Sequence, residues 1–520
     1  MSTGAQSLLG SVTPAQLGLP DKFRVWRPRQ TDSIAQMVDS DVPYQAQSVP
    51  TGGGKSVSYI AAALLTGRRT CVLTVNKGLQ NQLSRDFGPI GLVDIRGRAN
   101  YSCRMSEGMT CDDGMHLKCR EAACPYKQAR QAALASTLVV TNYPYWMLVN
   151  DARQGDGIGS FDMLVCDEAH AAPDEVAGLM SVEFTTREVH GYMMKQFLSD
   201  GSPLDSWRLW ARSHLPLAKE KREQLEGMGW LSARELSNLR AWTVIERKLE
   251  TLAWSQGDWE YEPTASGFRF EPLWAAQYAA EKLFRGVRHV VLMSATLTSK
   301  TLDLLGIPES RRQLLEYPYI FPVNRCPVIW LPTARVDHRM TPSARSYWLS
   351  RFDQIIRGRL DRKGIIHSVS YRRAQEIAEQ SEYRDWMIVH NSENTAEKVA
   401  AYLSMPPPSI LVSPALSTGY DFPDDDCEYQ IIAKMPFPDS RGRIISARSR
   451  SDPDYAPYLL CQELVQACGR GMRHERDRCE NIIIDNHFAW VRGRYHAFFP
   501  RWFSQLYRRS DTIPEPPPKL

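Results

Sequence analysis

Short hydrophobic runs rich in β-branched residues recur along the chain and are typical of buried parallel strands. They begin at Cys71, Thr137, Met163, His289, Gly364, Ile410, Tyr429 and Asn481. Amphipathic segments such as Lys55–Leu65 and Arg372–Gln380 lie between many of these runs and predict helices. The alternation of strands and helices predicts an α/β fold built from doubly wound units.

The predicted strands fall into two groups, before about residue 300 and after about residue 325, with the loop-like stretch EYPYIFPVNRCP between them. This division predicts two parallel sheets. Between Pro173 and Glu281 the strand pattern fades, and Leu217–Leu252 has a long polar and apolar pattern that is typical of helices. We therefore interpret the block as a helical insertion. The first twenty residues and the proline-rich end, IPEPPPKL, lack such patterns and are expected to be exposed extensions.

Composition sets only broad limits on the protein. A chain of 520 residues has room for two or three domains. With 43% hydrophobic residues, no apolar run of membrane-spanning length and no secretory pattern, it is expected to be cytoplasmic and to have no membrane partner. The net charge of +4 is too small to demand a nucleic-acid partner or to exclude one.

A glycine-rich turn joins an extended run, Tyr44–Ser48, to an amphipathic helix. Glycines let backbone N–H groups surround a polyanion, and the helix N-terminus adds a favourable partial charge. The lysine of such a turn reaches the β and γ phosphates of a nucleotide, and the hydroxyl that follows it ligates magnesium. The predicted phosphate site consists of Thr51, Gly52, Gly53, Gly54, Lys55 and Ser56. The first glycine of the usual pattern falls at Val49, so a glycine-rich turn without nucleotide is the alternative.

An acidic pair, Asp167 and Glu168, ends another predicted buried strand and is followed by Ala169 and His170. A carboxylate at the end of a buried strand can hold magnesium opposite a phosphate loop, and its neighbour can deprotonate the attacking water. We therefore predict Asp167 as a magnesium ligand, together with Ser56, and Glu168 as the general base. A helix cap without chemistry is the alternative for this tetrapeptide.

The two groups together resemble the phosphate loop and the DEAH motif of superfamily-two helicases. Ser294 and Thr296, after the strand HVVLM, resemble the motif of this family that relays nucleotide state to the grip on nucleic acid, and the resemblance implies that His170 takes part in this coupling. The stretch QACGRGMR resembles the arginine-finger motif of the second motor domain.

The resemblance of that stretch implies catalytic roles for Gln466, Arg470 and Arg473. Charge that spreads over the γ-phosphoryl oxygens during hydrolysis needs cations, and cations on the opposite lobe restrict catalysis to the closed state. A pair of surface arginines is the alternative reading.

Three further stretches resemble the family less closely. Gln30, in RPRQ, matches the glutamine that reads adenine, although a helix-surface residue is the alternative. Ser413–Phe422 resembles the fifth motif, which implies nucleotide contacts for Gly419 and Asp421, but Thr418 replaces an acidic residue often found there. The stretch HSVSY from His367 resembles the start of the fourth motif, with a plain strand-to-helix turn as the alternative.

Four of the eleven cysteines crowd between the phosphate loop and the DEAH strand, with the spacing C-x7-C-x7-C-x4-C. They are Cys103, Cys111, Cys119 and Cys124. This insertion resembles that of the XPD and DinG branch of the family, and the resemblance implies a [4Fe–4S] cluster with a structural role. Four thiolates also hold zinc, which remains the alternative, although zinc usually favours closer cysteine pairs.

The resemblance implies two RecA-like motor domains with parallel sheets, a small cysteine-ligated cluster domain and a helical arch. The boundaries expected are 1–95 and 133–178 for the first two parts of motor domain 1, 96–132 for the cluster domain, 179–280 for the arch, 281–322 for the third part of motor domain 1 and the linker, 323–508 for motor domain 2 and 509–520 for a disordered tail.

The function implied is ATP-dependent, magnesium-dependent 5′ to 3′ travel on single-stranded DNA with unwinding of duplex or forked DNA, in repair, recombination or replication. A monomer in a bacterial or phage-infected cell is expected. RNA as the track remains open. Two other hypotheses are an ATP-driven translocase that remodels bound proteins without strand separation and a metal-containing nucleic-acid-binding protein with an inactive ATPase.

Overall fold

The computed structural model describes residues 9–104, 108–116, 119, 123–149, 157–228, 231–414, 422, 424–472 and 476–518. The strands up to residue 316 are β1 (Tyr44–Ser48), β2 (Thr70–Thr74), β3 (Leu92–Asp94), β4 (Leu138–Asn142), β5 (Met163–Asp167), β6 (Val182–Thr185), β7 (Trp259–Pro263), β8 (Gly267–Pro272), β9 (His289–Ser294) and β10 (Arg312–Glu316). The helices of this part are α1 (Gln30–Asp39), α2 (Lys55–Thr66), α3 (Lys77–Phe87), α4 (Cys111–His116), α5 (Pro125–Ala135), α6 (Tyr143–Val149), α7 (Ala172–Met180), α8 (Leu204–Glu226), α9 (Ala233–Ala253), α10 (Ala276–Lys282) and α11 (Ser299–Leu304).

A parallel sheet in the order β10–β1–β9–β5–β2–β4–β3 forms the centre of the first lobe. Strands β2, β5 and β9 are buried along their whole length, as expected of a parallel sheet covered by helices on both faces. Strand β9 pairs with β1 on one side, with Ser294 opposite Ser48, and with β5 on the other, with Met293 opposite Asp167. The ends of β1, β9 and β5 therefore lie side by side at one edge of the sheet.

The insertion before β9 is not wholly helical, contrary to the prediction. Strands β6, β8 and β7 form a separate antiparallel sheet against the long helices α8 and α9. The alternating burial along β6 is typical of a sheet with one covered face. Trp207, Trp210 and Trp242 are at most 7% exposed and pack in the core of this block, so they hold helices together and are not available to stack on bases.

A second parallel sheet, in the order β13–β14–β12–β15–β16–β11–β17, forms the second lobe. Its strands are β11 (Val328–Ala334), β12 (Lys363–His367), β13 (Met387–Val389), β14 (Ser409–Ser413), β15 (Tyr429–Ile432), β16 (Glu480–Asp485) and β17 (Tyr507–Arg509). Its helices are α12 (Pro342–Arg357), α13 (Tyr371–Gln380), α14 (Thr395–Ser404), α15 (Arg443–Ser451), α16 (Tyr455–Cys468), α17 (His487–Arg494) and α18 (Arg501–Leu506). Two parallel-sheet α/β lobes were predicted, and the structure has them.

The C-terminal segment differs from the disordered tail predicted from residue 509. It follows the edge strand β17 and runs back across the second lobe, where backbone carbonyls of its prolines accept hydrogen bonds from arginines. Arg359 donates to the Pro514 carbonyl at 2.9 Å, and the same guanidinium forms a fully buried ion pair with Glu480. An extended proline-rich chain forms no regular hydrogen bonds between its own backbone groups, so its carbonyls need other donors. The arginine guanidinium groups are those donors.

Within the ranges described above, no helix combines the length and the apolar character needed to cross a bilayer.

Candidate nucleotide site between the two lobes

The glycine-rich turn after β1 wraps into the start of α2 as a compact loop. The Gly53 N–H donates to the Pro50 carbonyl at 2.9 Å, and a β-carbon at Gly53 would lie 2.5 Å from Cγ1 of Val49. Gly54 has a φ of +79°, a conformation that L side chains rarely adopt. The loop therefore requires glycine at both positions, and it brings Lys55 and Ser56 to the first turn of α2.

The side chain of Gln30 stabilises this loop through a hydrogen bond to its backbone. The residue is 3% exposed, its Oε1 accepts from the Arg27 N–H at 2.9 Å, and its Nε2 donates to the Gly54 carbonyl at 3.0 Å. The guanidinium of Arg27 donates to the Gly52 carbonyl. Gln30 is thus a buried residue and does not lie on a helix surface. Its amide engages the backbone of the phosphate loop in this structure, and adenine reading by Gln30 stays a prediction.

Asp167 lies at the end of β5 and is 4% exposed. Its Oδ2 accepts from the Tyr59 hydroxyl at 3.3 Å, and its Oδ1 accepts from the Glu168 N–H at 3.0 Å. Burial, with a contribution from the charge of Glu168, raises the pKa of Asp167 to about 6, although Lys55 acts in the opposite direction. A buried carboxylate with a raised pKa gains from a cation beside it.

Tyr59 belongs to the site although no sequence motif predicted it. It lies on the buried face of α2, hydrogen-bonds to Asp167 and also interacts with the side chain of Ser56. The two predicted magnesium ligands therefore converge on one hydroxyl, and their oxygens are of the kind that magnesium prefers. The only sequence signal was a tyrosine three residues after Ser56, which is the spacing of neighbours on one helix face.

Glu168 adopts a left-handed conformation with a φ of +50°, which is uncommon for a residue with a side chain. Its Oε1 lies 3.5 Å from the Lys55 ammonium, and its Oε2 accepts from the Ser294 hydroxyl at 3.3 Å. Burial alone would raise the pKa of Glu168, but Lys55 and His170 outweigh burial and hold the pKa well below its usual range. Glu168 is therefore a carboxylate at neutral pH, which is the form that a general base needs.

A chain of hydrogen bonds joins Glu168 to the second lobe through His170. Nδ1 of His170 lies 2.8 Å from the Ser294 hydroxyl, which is also 3.3 Å from the Thr296 hydroxyl, and Nε2 of His170 lies 2.5 Å from Nε2 of Gln466. When the Gln466 amide donates to Nε2, the ring proton sits on Nδ1 and points to Ser294, which in turn donates to Glu168. The predicted coupling residues His170, Ser294 and Thr296 are thus joined by hydrogen bonds to one another and, through Gln466, to the second lobe.

Arg470 follows helix α16 and faces the same cleft. It is 9% exposed, and burial lowers the pKa of its guanidinium to about 10, with Glu463 and Glu168 acting in the opposite direction. Gly469, beside it, approaches the phosphate loop so closely that a β-carbon there would lie 2.9 Å from Oγ1 of Thr51. Three other residues predicted for this region, Arg473, Gly419 and Asp421, lie outside the described residues.

The four clustered cysteines lie in one small unit around α4. Sγ of Cys111 is 3.3 Å from Sγ of Cys124, and a β-carbon at Gly114 would lie 2.8 Å from Sγ of Cys103 and 3.5 Å from Cβ of Cys119. Gly114 thus leaves room for the thiol of Cys103, which a β-carbon would displace, while Cys119 lies at ordinary contact distance from the same point. Among the described residues, no three or more His, Cys, Asp or Glu side chains are already arranged to hold a metal ion.

Comparison with known proteins agrees with the architecture. A family model for a helicase C-terminal domain matches residues 360–506, which lie in the second lobe. Two curated relatives, both ATP-dependent DNA helicases YoaA, are 27% identical over 27% of this chain and 31% of the relative in Haemophilus influenzae, and 23% identical over 30% and 34% in Escherichia coli. The matched region is about a third of the length of these relatives.

A solved structure of an XPD helicase superposes on 93% of this chain and 98% of its own length, with a TM-score of 0.58 and 14% identity. At this identity the likeness shows the fold alone. These matches confirm the resemblance to the XPD and DinG-like helicases of superfamily two, and with it the two RecA-like lobes.

Asp167→Asn is expected to raise the thermal unfolding midpoint of the nucleotide-free and magnesium-free protein at pH 8. The pKa of Asp167 in the folded protein is about 6, above its ordinary value of 3.8. The stability that the protonated side chain contributes is therefore complete below pH 3.8 and is lost as the pH rises through about 6, because the buried side chain then becomes charged. The asparagine removes the disfavoured charge, which costs about 3 kcal/mol at pH 8. The difference from wild type should shrink at pH 5.

Asp385→Asn is the matched control, because the Asp385 side chain is 91% exposed and its substitution should leave both midpoints unchanged. A midpoint for Asp167→Asn that is lower than wild type at pH 8, or a difference that is the same at both pH values, would contradict this account.

Proposed function

We propose that the chain is an ATP-dependent DNA helicase that travels 5′ to 3′ on single-stranded DNA and unwinds duplex DNA. The observation that carries the proposal is the series of hydrogen bonds from Glu168 through Ser294 and His170 to Gln466, because it joins the edge of one lobe that carries the proposed general base to the other lobe. The names of the two curated relatives support DNA as the track.

In the proposed hydrolysis, Lys55 would bind the β and γ phosphates of ATP, and Ser56 and Asp167 would hold a magnesium ion, which would supply positive charge to offset that of the phosphates. Glu168 accepts a proton from the attacking water. Lys55 now lies 3.5 Å from Glu168, so phosphate binding would draw the ammonium away and leave the carboxylate free to act as a base. Arg470 supplies a cation from the second lobe, where charge develops on the γ-phosphoryl oxygens.

In the proposed coupling, the contacts between the two lobes change when the nucleotide binds and when it is hydrolysed. Gly469 lies so near the phosphate loop that a β-carbon on it would come within 2.9 Å of Oγ1 of Thr51. Trp502 of the second lobe donates to the carbonyl of Ala295, the residue between Ser294 and Thr296, at 2.7 Å. A change in the occupancy of the phosphate loop therefore acts on contacts that both lobes share. Alternate closing and opening of the lobes would move a bound strand.

The helicase proposal is tested with Glu168→Gln and with the matched control Glu397→Gln, whose carboxylate is 74% exposed on α14. Wild type should hydrolyse ATP faster when single-stranded DNA is present. Glu168→Gln should lower this rate by about a hundredfold or more, because the proton acceptor is lost, and Glu397→Gln should not.

Strand separation is followed on duplexes with a 5′ or a 3′ overhang, and on RNA duplexes of equal length. The proposal requires unwinding from the 5′ overhang of DNA and its loss in Glu168→Gln. ATP hydrolysis that single-stranded DNA does not stimulate would refute the motor assignment. Unwinding of RNA alone would refute DNA as the track, and ATP-driven travel without strand separation would assign the remodelling alternative.

We further propose that the cysteine unit holds a [4Fe–4S] cluster with a structural role, with Cys103, Cys111, Cys119 and Cys124 as ligands. Two observations support a ligand set. Gly114 leaves space beside Cys103, and Sγ of Cys111 lies 3.3 Å from Sγ of Cys124. When bound, the cluster would crosslink four points of this unit.

The cluster proposal is tested on protein purified without oxygen. Wild type should be coloured and should contain iron and acid-labile sulfide, and Cys119→Ser should lose most of both. Cys461→Ala, at a buried cysteine of α16, is the matched control and should retain them. A colourless protein that contains zinc without iron would contradict the cluster and favour the zinc alternative.

A further inference from the structure

Two exposed aromatic rings lie side by side on the second lobe. Phe437 is 37% exposed and Trp490 is 45% exposed, and their stacked rings have centroids 6.5 Å apart at 27°. Trp490 also packs edge-on against Tyr495 at 5.2 Å. Single exposed aromatic residues are ordinary, but neighbouring exposed rings form a patch that often marks a binding surface. Phe437, Trp490 and Tyr495 are called the aromatic patch below.

The buried carboxylate of Asp485 fixes the two segments that carry Phe437 and Trp490. Asp485, at the end of β16, accepts from the Met435 N–H at 2.9 Å, and Met435 in turn accepts from the Phe437 N–H at 2.9 Å. The other oxygen of Asp485 accepts from the backbone N–H of His487 at 2.9 Å, at the start of the helix that carries Trp490. These bonds fix the backbone of the two segments that carry the rings, and a preorganised surface binds with little loss of entropy.

The aromatic patch begins at the rim of the cleft between the lobes. A cavity of about 460 Å³ lies in that cleft, and its lining includes Phe437 together with His170, His367 and Lys434. The patch therefore continues a surface that reaches the residues connecting Glu168 to the second lobe. It also follows β15 and β16 at the carboxyl ends of parallel strands, where open α/β sheets commonly bind their ligands.

A cationic side chain contacts the patch directly, because the guanidinium of Arg494 lies 5.7 Å from the centre of the Tyr495 ring. Lys434 precedes Phe437 by three residues along the chain, and Arg492 shares the last turn of α17 with Arg494, where its guanidinium lies 4.0 Å from the centre of the Tyr507 ring. The acidic Asp485 is fully buried and hydrogen-bonded to the ring of His487 at 2.8 Å. Aromatic faces interleaved with basic groups suit an unpaired nucleic-acid strand, whose bases stack while its phosphates meet cations.

We infer that the aromatic patch is a base-stacking platform for single-stranded nucleic acid at the rim of the interlobe cleft. The inference rests on the proposed function and adds a specific contact to it. Phe437 and Trp490 present ring faces to successive bases, and the contact tolerates any sequence because every base has a π face. A platform anchored to the second lobe would move with that lobe as it closes and opens.

The test compares Trp490→Ala, Phe437→Ala and the aromatic replacement Trp490→Phe in the full chain. Each variant binds two strands of equal length and charge, one of oligothymidine and one of abasic nucleotides. Wild type should bind oligothymidine more tightly. Trp490→Ala and Phe437→Ala should weaken oligothymidine binding by about tenfold with little effect on the abasic strand, and Trp490→Phe should bind like wild type.

Trp254→Ala is the matched control, because Trp254 is a tryptophan with 63% exposure at the end of α9 in the insertion, and its loss should not change either affinity. The slope of affinity against salt concentration should be the same in Trp490→Ala as in wild type, because a stacking contact releases no counterions.

The inference would be overturned if the alanine variants lost affinity equally for both strands, or if Trp490→Ala and Trp490→Phe weakened binding equally. It would also be overturned if the alanine variants bound oligothymidine as tightly as wild type. Unchanged oligothymidine binding in the alanine variants would indicate that the patch is a surface that binds a protein. These outcomes differ from failure of the proposed function, in which wild type itself neither binds the strand nor is stimulated by it.

Discussion

The contact between His170 and Gln466 is the interaction on which the proposed coupling between the two lobes depends. It is a hydrogen bond between the ring of one lobe and the amide of the other, and the same ring reaches Ser294 and, through it, Glu168. A neutral imidazole carries one N–H, so with the Gln466 amide donating to Nε2 the His170 ring donates from Nδ1 to Ser294. The position of the second lobe and the hydrogen bonding of the proposed base are therefore linked by geometry.

The order of strands in the first sheet makes that contact possible. Because β9 lies between β1 and β5, the segment after Ser294 falls between the phosphate loop and Glu168. Fully buried parallel strands leave side chains free to act only at their ends, so chemistry gathers at the carboxyl edge. The second lobe also uses the carboxyl end of a buried strand. Asp485, at the end of β16, fixes the segments that carry the aromatic patch beside the same cleft.

The sequence predicted the two α/β lobes and the approximate placement of Lys55, Asp167 and Glu168, because parallel strands and phosphate loops depend on short local patterns. It did not predict Tyr59 at Asp167 or the burial of Gln30, because these depend on which faces of α1 and α2 turn inward. The strands of the insertion pair only with one another, and the proline-rich end is held by arginines distant in the sequence. Such long-range contacts leave no local signal. The roles of the site residues remain predictions.

The link between the lobes is tested most directly by a double-mutant cycle of His170→Ala and Gln466→Ala, measured as the maximal rate of ATP hydrolysis with saturating single-stranded DNA. If the two side chains act through one hydrogen bond, each single variant should slow hydrolysis, and the double variant should be little slower than the more affected single variant, with a coupling energy of about 1 kcal/mol. Rate losses that multiply independently in the double variant would contradict the account.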